Sequence, residues 1–269
     1  MKNQISVDSI KEHEDAINNP ESAIFFNLSP EKVLFFKERD KKELNEKLDI
    51  LDAKFEKLTP YIKQIKNHIS TITEKTQKSA CYLIFHKVIQ SWEALMLLAR
   101  QGFYYESMEM LRSIGENLDL VHLFINDKDS KNLANWFNGD IIEHSKSRDK
   151  FDEVVNEAKI LDRNVDFKSI KTKIYRTFSQ YTHGGYVAML ESINVFSKDF
   201  DFDKTAGYHR LNETFSSFES LFTNIVFTLS NYNLLVCLNL KNVDELNIML
   251  PKPAFTKEEL TEHIRKNKL

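Results

Sequence analysis

The chain has 269 residues, of which 42% are hydrophobic and 29% charged, and its formal net charge is −3. This composition excludes wholesale disorder, and the near-neutral charge gives no overall positive field for nucleic acid. The six glycines and five prolines are few for this length, which argues against a turn-rich β-fold, and no glycine-rich phosphate-binding motif occurs. We therefore expect an all-α protein.

The first long helix is predicted to begin at Ser29-Pro30-Glu31, where serine can cap and proline suits the first turn. Apolar residues then recur at alternating spacings of four and three, which is a heptad pattern. The positions of this seam are Leu44, Leu48, Leu51, Phe55, Leu58, Ile62, Ile65, Ile69 and Ile72. The pattern is typical both of a dimerising coiled coil and of helices packed within one chain, and both alternatives stay open. Thr59-Pro60 predicts either a kink or a new helix capped by Thr59.

Two strongly apolar helices are predicted next, over 80–100 and 104–126, with Gly102 as the cap between them. So short a connection makes the two helices antiparallel neighbours, and their apolar circumference predicts a central position. Each helix keeps a narrow polar stripe. The first stripe consists of His86, Gln90, Glu93 and Arg100, and the second of Glu109, Arg112, Glu116 and Asp119.

The expected architecture is an irregular all-α multi-helix bundle with a long N-terminal helical arm or hairpin. Further helices are predicted over 132–138, 140–161, 167–183, 186–196, 208–240 and 256–267, with a loop over 199–207. We divide the chain into an arm over 1–75, a main bundle over 76–250 and a tail helix over 251–269.

The sequence predicts a cytoplasmic protein without a membrane span. The first ten residues lack the apolar stretch of a signal peptide, and Cys81 and Cys237 form no recognisable motif. Residues 220–240 carry no charge and are numerous enough to cross a bilayer, but four asparagines interrupt them. We expect this segment to be a buried core helix instead.

Two patterns resemble parts of metal sites. The acidic run over 199–203 begins like a calcium loop, but Lys204 stands where that loop requires glycine. Asp119-x-x-His122 supplies one of the two carboxylate–histidine pairs of a di-iron bundle, and no convincing second pair is present. We therefore expect neither a metal nor another cofactor.

The most informative local motif is Arg176-x6-His183, near the end of the 167–183 helix. It resembles the arginine–histidine signature of HEPN-like helical domains, many of which are metal-independent ribonucleases of toxin or phage-defence systems that act as dimers. The resemblance covers eight residues. It implies Arg176 and His183 as catalytic residues, RNA as a substrate and a homodimer as the active form. His183 would transfer protons, and Arg176 would stabilise the charge of the phosphorane.

A straight helix separates Arg176 from His183 by about 10 Å along its axis, so a distorted turn or a second subunit must bring them together. Five further residues can complete a polar network around the pair. They are Ser179 and Gln180 on the same helix face, and Glu93, Arg112 and Glu116 from the polar stripes. Two alternatives stay open: Arg176 can be a structural ion-pair partner of Glu93 or Glu116, and the protein can be a non-catalytic dimerising or regulatory protein that uses the seam.

Overall fold

The computed structural model describes residues 30–69, 71, 73–126, 131–143, 145–147, 149 and 205–251. All regular structure in these ranges is helical, with no strand, which confirms the expected all-α multi-helix bundle. In chain order the α-helices are α1 (Pro30–Glu56), α2 (Thr59–Ile65), α3 (Gln77–Arg100), α4 (Tyr104–Asn126), α5 (Lys131–Phe137), α6 (Thr205–Glu213), α7 (Phe215–Tyr232) and α8 (Leu240–Asn247). A 3₁₀ turn (Lys66–His68) follows α2, and a π-helical segment (Asn233–Cys237) follows α7.

The apolar seam of α1 and α2 is buried within the single chain. Its first seven members, Leu44, Leu48, Leu51, Phe55, Leu58, Ile62 and Ile65, are each at most 4% exposed. Ile69 is half-buried, and Ile72 lies outside the described residues. Of the two alternatives for this pattern, packing within the chain is the one observed up to Ile65. The seam up to Ile65 is therefore part of the core of the single chain.

The break between α1 and α2 falls where the sequence predicted it, but its cap differs. The chain turns after Glu56, where the Leu58 amide donates to the Phe55 carbonyl over 2.8 Å. Leu58 occupies the cap position of α2 without a side-chain cap, so the prediction that Thr59 caps the helix is wrong. The reason is burial. Leu58 is a fully buried seam residue, and placing it at the cap keeps the apolar surface of the seam in the core.

The central hairpin matches its prediction closely. Helix α4 has the expected bounds, and Gly102 has the positive φ of 77° that a helix-terminating glycine supplies. Helix α3 begins three residues before the expected start. Thr76 and Ser79 explain the difference, because each side-chain oxygen accepts from the backbone amide of the other residue, at 3.3 and 3.1 Å. This reciprocal pair satisfies amides that a helix start otherwise leaves unpaired.

Other predicted helices are tested only in part. Helix α5 lies within one residue of its prediction, and Gly139 follows it with a φ of 90°. Residues 140–143 are not helical, so the helix predicted from Asp140 does not begin there. The helices predicted over 167–183, 186–196 and 256–267, and the acidic run over 199–203, lie outside the described residues.

The described residues form two compact units. The first contains residues 30–52, 92–112 and 205–218, and the second contains 53–91, 113–149 and 219–251 where these are described. Helices α1, α3, α4 and α7 each contribute residues to both units. The domain boundaries proposed from the sequence, after residues 75 and 250, stay a prediction.

In the first unit, carboxylates of α1 fix its register against α3. Asp52 accepts a hydrogen bond from the Trp92 indole at 3.2 Å and lies 3.5 Å from the Arg100 guanidinium. The same guanidinium donates to Asp49 over 2.5 Å. Trp92 is almost fully buried. Because the indole donor and the guanidinium need acceptors at set positions, these contacts specify one alignment of the two helices.

A close backbone approach in the first unit involves two glycines. The sequence predicted a loop up to Gly207, but Gly207 lies inside the first turn of α6, so that prediction is wrong. A Cβ atom at Gly207 would collide with the carbonyl oxygen of Gly102. Glycine at this helical position therefore permits a contact that any side chain would exclude.

The segment over 208–240 is not the single helix that its composition predicted. It breaks at Thr214, whose hydroxyl donates to the Arg210 carbonyl over 2.8 Å, and again at the π-helical segment. At the first residue of that segment, the Asn233 side-chain amide donates to the Leu229 carbonyl over 2.9 Å. Such side-chain bonds compete with regular helix hydrogen bonding. No helix in the described ranges is long and apolar enough to cross a membrane, as expected for 220–240.

The buried seam predicts a sharp contrast between adjacent residues. Leu51 is 2% exposed and Ile50 is 61% exposed. We expect Leu51→Ala to lower the free energy of unfolding by about 2–5 kcal/mol, since it removes buried methyl groups and leaves a cavity. Ile50→Ala should change it by less than about 0.5 kcal/mol. Urea unfolding at two protein concentrations measures both effects. Equal losses, or a loss that depends on concentration, would contradict packing within the chain.

The glycine contact predicts opposite effects for two Gly→Ala changes in helices. Gly207→Ala should destabilise the protein by about 1–3 kcal/mol, because backbone must move to admit the methyl group. Gly115→Ala in α4 meets no atom within 4 Å and should stabilise it by about 0.5–1 kcal/mol through helix propensity. Thermal unfolding of both variants provides the measurement. A stabilising Gly207→Ala would show that the two backbones are not in contact.

Candidate functional site

The two residues predicted to be catalytic lie outside the described residues, as do two of the supporting set. These are Arg176, His183, Ser179 and Gln180. Of the other supporting residues, Glu93 is an exposed residue of α3. Arg112 and Glu116 lie one turn apart on α4, both half-buried, and each makes at least one polar or electrostatic interaction. Arg112 also has its Nη1 atom fully buried.

The polar stripe of α3 is mostly a surface feature. His86, Gln90 and Glu93 are all exposed, and the His86 ring lies 6.3 Å from the ring of Tyr82 on the same helix. Arg100 is engaged by the carboxylates of α1 described above. In the described structure this stripe therefore supplies no buried charge network of its own.

A cluster of charged residues in the first unit is centred on His209 of α6. Its Nδ1 atom lies 3.1 Å from Oδ2 of Asp40, and its Nε2 atom lies 3.3 Å from Glu213. The other Asp40 oxygen accepts two bonds from the guanidinium of Arg39, at 2.9 and 2.7 Å. Arg210 lies 3.2 Å from Glu213 and extends the chain of opposite charges. Asp40 is the most buried member, at 6% exposure.

This cluster contains the groups of an acid–base site, but they are arranged as an ion-pair network that joins two helices. A carboxylate at Nδ1 is the usual way to orient a histidine for proton transfer. Here, however, Nε2 also faces a carboxylate, and imidazole can donate to both only when doubly protonated. Asn212 reinforces a structural role, since its amide donates to the backbone carbonyl of Asp40 over 2.7 Å. We interpret the cluster as the attachment of α6 to α1.

Sequence reasoning missed the Asp40–His209 contact. The two residues are 169 positions apart, and neither belongs to a local motif. The only signal in the sequence is the position of Asp40 on the buried side of an amphipathic helix. A carboxylate there needs a partner. Nothing in the sequence identifies that partner.

The second unit contains the carboxylate–histidine pair of α4, Asp119 and His122, and both residues are buried. The Thr228 hydroxyl donates to the Asn224 carbonyl over 2.7 Å, so it accepts from Nε2 of His122 at 2.9 Å. The His122 ring stacks on Phe227 with ring centres 5.4 Å apart. Asp119 is likewise engaged by another group. Among the described residues, no three His, Cys, Asp or Glu side chains could together hold a metal ion.

A second polar layer of this unit joins α2 to α8. The Tyr61 hydroxyl donates to Glu245 over 2.7 Å. One amide group, that of Asn242, donates to both Gln64 and Asn233, at 3.0 and 2.9 Å. Burial, the hydrogen bond to Glu245 and the charge of that carboxylate raise the pKa of Tyr61 to about 12. The layer is fully explained by structural contacts between neighbouring helices.

No family model, curated protein or solved structure matches this chain. The resemblance to HEPN-like domains, which depends on Arg176 and His183, accordingly stays a prediction.

The raised pKa of Tyr61 predicts a specific dependence of stability on pH. Tyr61→Phe should lower the free energy of unfolding by about 1 kcal/mol at pH 8, because it removes a hydrogen bond to a carboxylate. Since the folded pKa lies above the ordinary value of 10.0, this contribution is constant below pH 10 and is lost as the pH rises towards 12.

Urea unfolding at pH 8 and pH 11 tests this expectation. Tyr82→Phe is the matched control, since the described structure gives the Tyr82 hydroxyl no hydrogen bond. The difference between wild type and Tyr61→Phe should be larger than the control difference at pH 8 and should shrink at the higher pH. An unchanged difference for Tyr61→Phe would exclude the proposed coupling to Glu245.

Proposed function

We propose that the protein cleaves RNA without a metal ion, with Arg176 and His183 as its catalytic pair, in a toxin or phage-defence setting. The observation that carries the proposal is the Arg-x6-His spacing in this chain. The helical architecture of the described residues supports it, because the domains that share this signature are helical.

The proposed chemistry needs only groups that the motif and the substrate provide. The 2′-hydroxyl of RNA is a nucleophile held beside the phosphorus atom, so proximity is supplied by the substrate itself. His183 removes the proton of this hydroxyl or protonates the leaving 5′-oxygen. Arg176 stabilises the added negative charge of the phosphorane. The products are a 2′,3′-cyclic phosphate and a 5′-hydroxyl end.

The supporting residues have different roles in this proposal. In the helix predicted over 167–183, Ser179 and Gln180 come three and four residues after Arg176 and are expected to share its face. Arg112 and Glu116 are half-buried and already engaged on α4, which suits residues that position other groups. Glu93 is exposed, so we assign it no place in a buried network.

We further propose that the active form is a cytoplasmic homodimer. Two residues seven apart on one regular helix are about 10 Å apart along its axis, and a partner subunit can close that gap. The seam does not provide the dimer interface, because its residues up to Ile65 are buried within the chain. The alternative, a non-catalytic interaction or regulatory protein, would need a surface other than the seam up to Ile65.

The proposal predicts that His183→Ala abolishes cleavage of labelled RNA in EDTA and leaves the helical content and melting temperature nearly unchanged. Arg176→Lys should reduce the rate strongly, since an ammonium lacks the planar donor array of guanidinium. His68→Ala is the matched control, because His68 is an exposed histidine of the 3₁₀ turn. Incubation with total RNA and tRNA, with the cleaved ends identified, measures all three.

A mixture of two inactive variants distinguishes an active site shared between two subunits from one held within a single subunit. If each site combines residues from both subunits, mixing Arg176→Ala with His183→Ala should restore part of the activity. If each subunit holds a complete site, the mixture should stay inactive while wild type cleaves. Cleavage by His183→Ala at the wild-type rate would remove the enzymatic proposal.

A further inference from the structure

The two cysteines of the chain, far apart in sequence, belong to one cluster in the second unit. Cys81 lies in the second turn of α3 and is fully buried, whereas Cys237 ends the π-helical segment and is half-buried. Both are free thiols. Tyr232 is also fully buried and interacts electrostatically with both thiols.

Helix register explains how the thiols come together. The rings of Phe85 and Tyr232 meet edge to face, with centres 5.8 Å apart. Cys81 lies one α-turn before Phe85, and Cys237 lies one π-turn after Tyr232. The ring contact and the electrostatic effect of Cys237 on Cys81 together place the start of α3 beside the end of α7. An α-helical continuation after Tyr232 would place Cys237 at a different angle around the axis.

The electrostatics of the cluster agree with this geometry. Burial raises the pKa of the Cys81 thiol, and the nearby Cys237 raises it further. Burial also raises the pKa of Cys237, against an opposing effect of the Tyr232 hydroxyl and the Lys78 ammonium. The Tyr232 hydroxyl lies close enough to influence both thiols, although it makes no hydrogen bond of normal geometry to a described residue.

The backbone at Cys237 is also unusual. A π-helical segment is uncommon and is often found at functional sites. Leu238, which follows it, has a φ of 55°, a conformation that is unfavourable for residues other than glycine. The break leaves Cys237 partly accessible, while Cys81 stays fully covered behind it.

We propose that Cys81 and Cys237 are an oxidisable thiol pair, which hydrogen peroxide converts to a disulfide within the chain. This inference does not depend on RNA cleavage. The Cys237 thiolate attacks one oxygen of peroxide, the O–O bond breaks, and hydroxide takes up a proton to give water. The Cys81 thiol then attacks the sulfenic sulfur, and the S–O bond breaks to release a second water. The two thiols together lose the two electrons that peroxide accepts.

The order of reaction follows from accessibility. Peroxide reaches the half-buried Cys237 first, and the buried Cys81 reacts only with the sulfenic acid beside it. Because only a thiolate attacks peroxide, and the pKa of Cys237 is raised, oxidation is slow at neutral pH. Its rate should increase about tenfold per pH unit between pH 7 and 9. Lys78→Gln should slow it further, since it removes a cation that lowers this pKa.

The test uses the full chain treated with hydrogen peroxide, then unfolded and alkylated with N-ethylmaleimide. Wild type should lose the mass of two hydrogen atoms, take up no alkylating agent, and recover two reactive thiols with dithiothreitol. Cys81→Ala should accumulate a Cys237 sulfenic acid that dimedone labels, whereas Cys237→Ala should give no label. Circular dichroism establishes that both variants are folded.

The same oxidation in guanidinium chloride is the control for proximity. With dimedone present during the oxidation, the folded wild type should form the disulfide with little dimedone label, because Cys81 lies beside the sulfenic acid. The unfolded chain should carry more label, because closing so long a loop is entropically costly. Equal or greater dimedone labelling of the folded wild type would overturn the proposal. So would a disulfide between two chains in place of one within a chain, or dimedone labelling of Cys81 in Cys237→Ala.

Discussion

Burial of the apolar seam of α1 and α2 is the constraint on which the rest of the described structure depends. The seam residues from Leu44 to Ile65 are removed from water within a single chain, and apolar burial is the largest favourable contribution to folding. This force has no direction, however, and a heptad seam can pack in several registers. Polar groups at the edges of the seam select among them.

Two carboxylates of α1 make that selection in the first unit. Asp52 accepts from Trp92 and lies beside Arg100 of α3, and Asp40 lies between Arg39 and His209 of α6. A carboxylate in a poorly hydrated position is costly unless it is paired. A shifted register would therefore leave Asp40 without its partners. The close approach of Gly207 to Gly102 adds a steric requirement in the same unit.

The second unit shows how polar side chains reshape a helix that composition alone predicts to be regular. The side-chain amide of Asn233 donates to the Leu229 carbonyl, one turn before the π-helical segment. Asn239 caps α8, because its side-chain oxygen accepts from the backbone amide of Asn242 at 3.2 Å. These bonds satisfy the groups that the break releases. One consequence is the position of Cys237, which comes one π-turn after Tyr232 and interacts electrostatically with Tyr232 and Cys81. A local irregularity thus contributes to the cluster of two thiols and a phenol in this unit.

Local sequence determined the features that depend on near neighbours. The bounds of α4 follow from helix periodicity, the turn at Gly102 from glycine conformation, and the start of α1 from proline chemistry. The spacing of Arg176 and His183 is likewise a feature of the local sequence. The tertiary structure alone decided whether the seam packs within or between chains, because both arrangements bury the same apolar faces. It also decided the partner of Asp40, the helical position of Gly207 and the meeting of Cys81 with Cys237. Each of these joins residues from distant parts of the chain, and a contact at long sequence separation leaves no periodic trace in either segment.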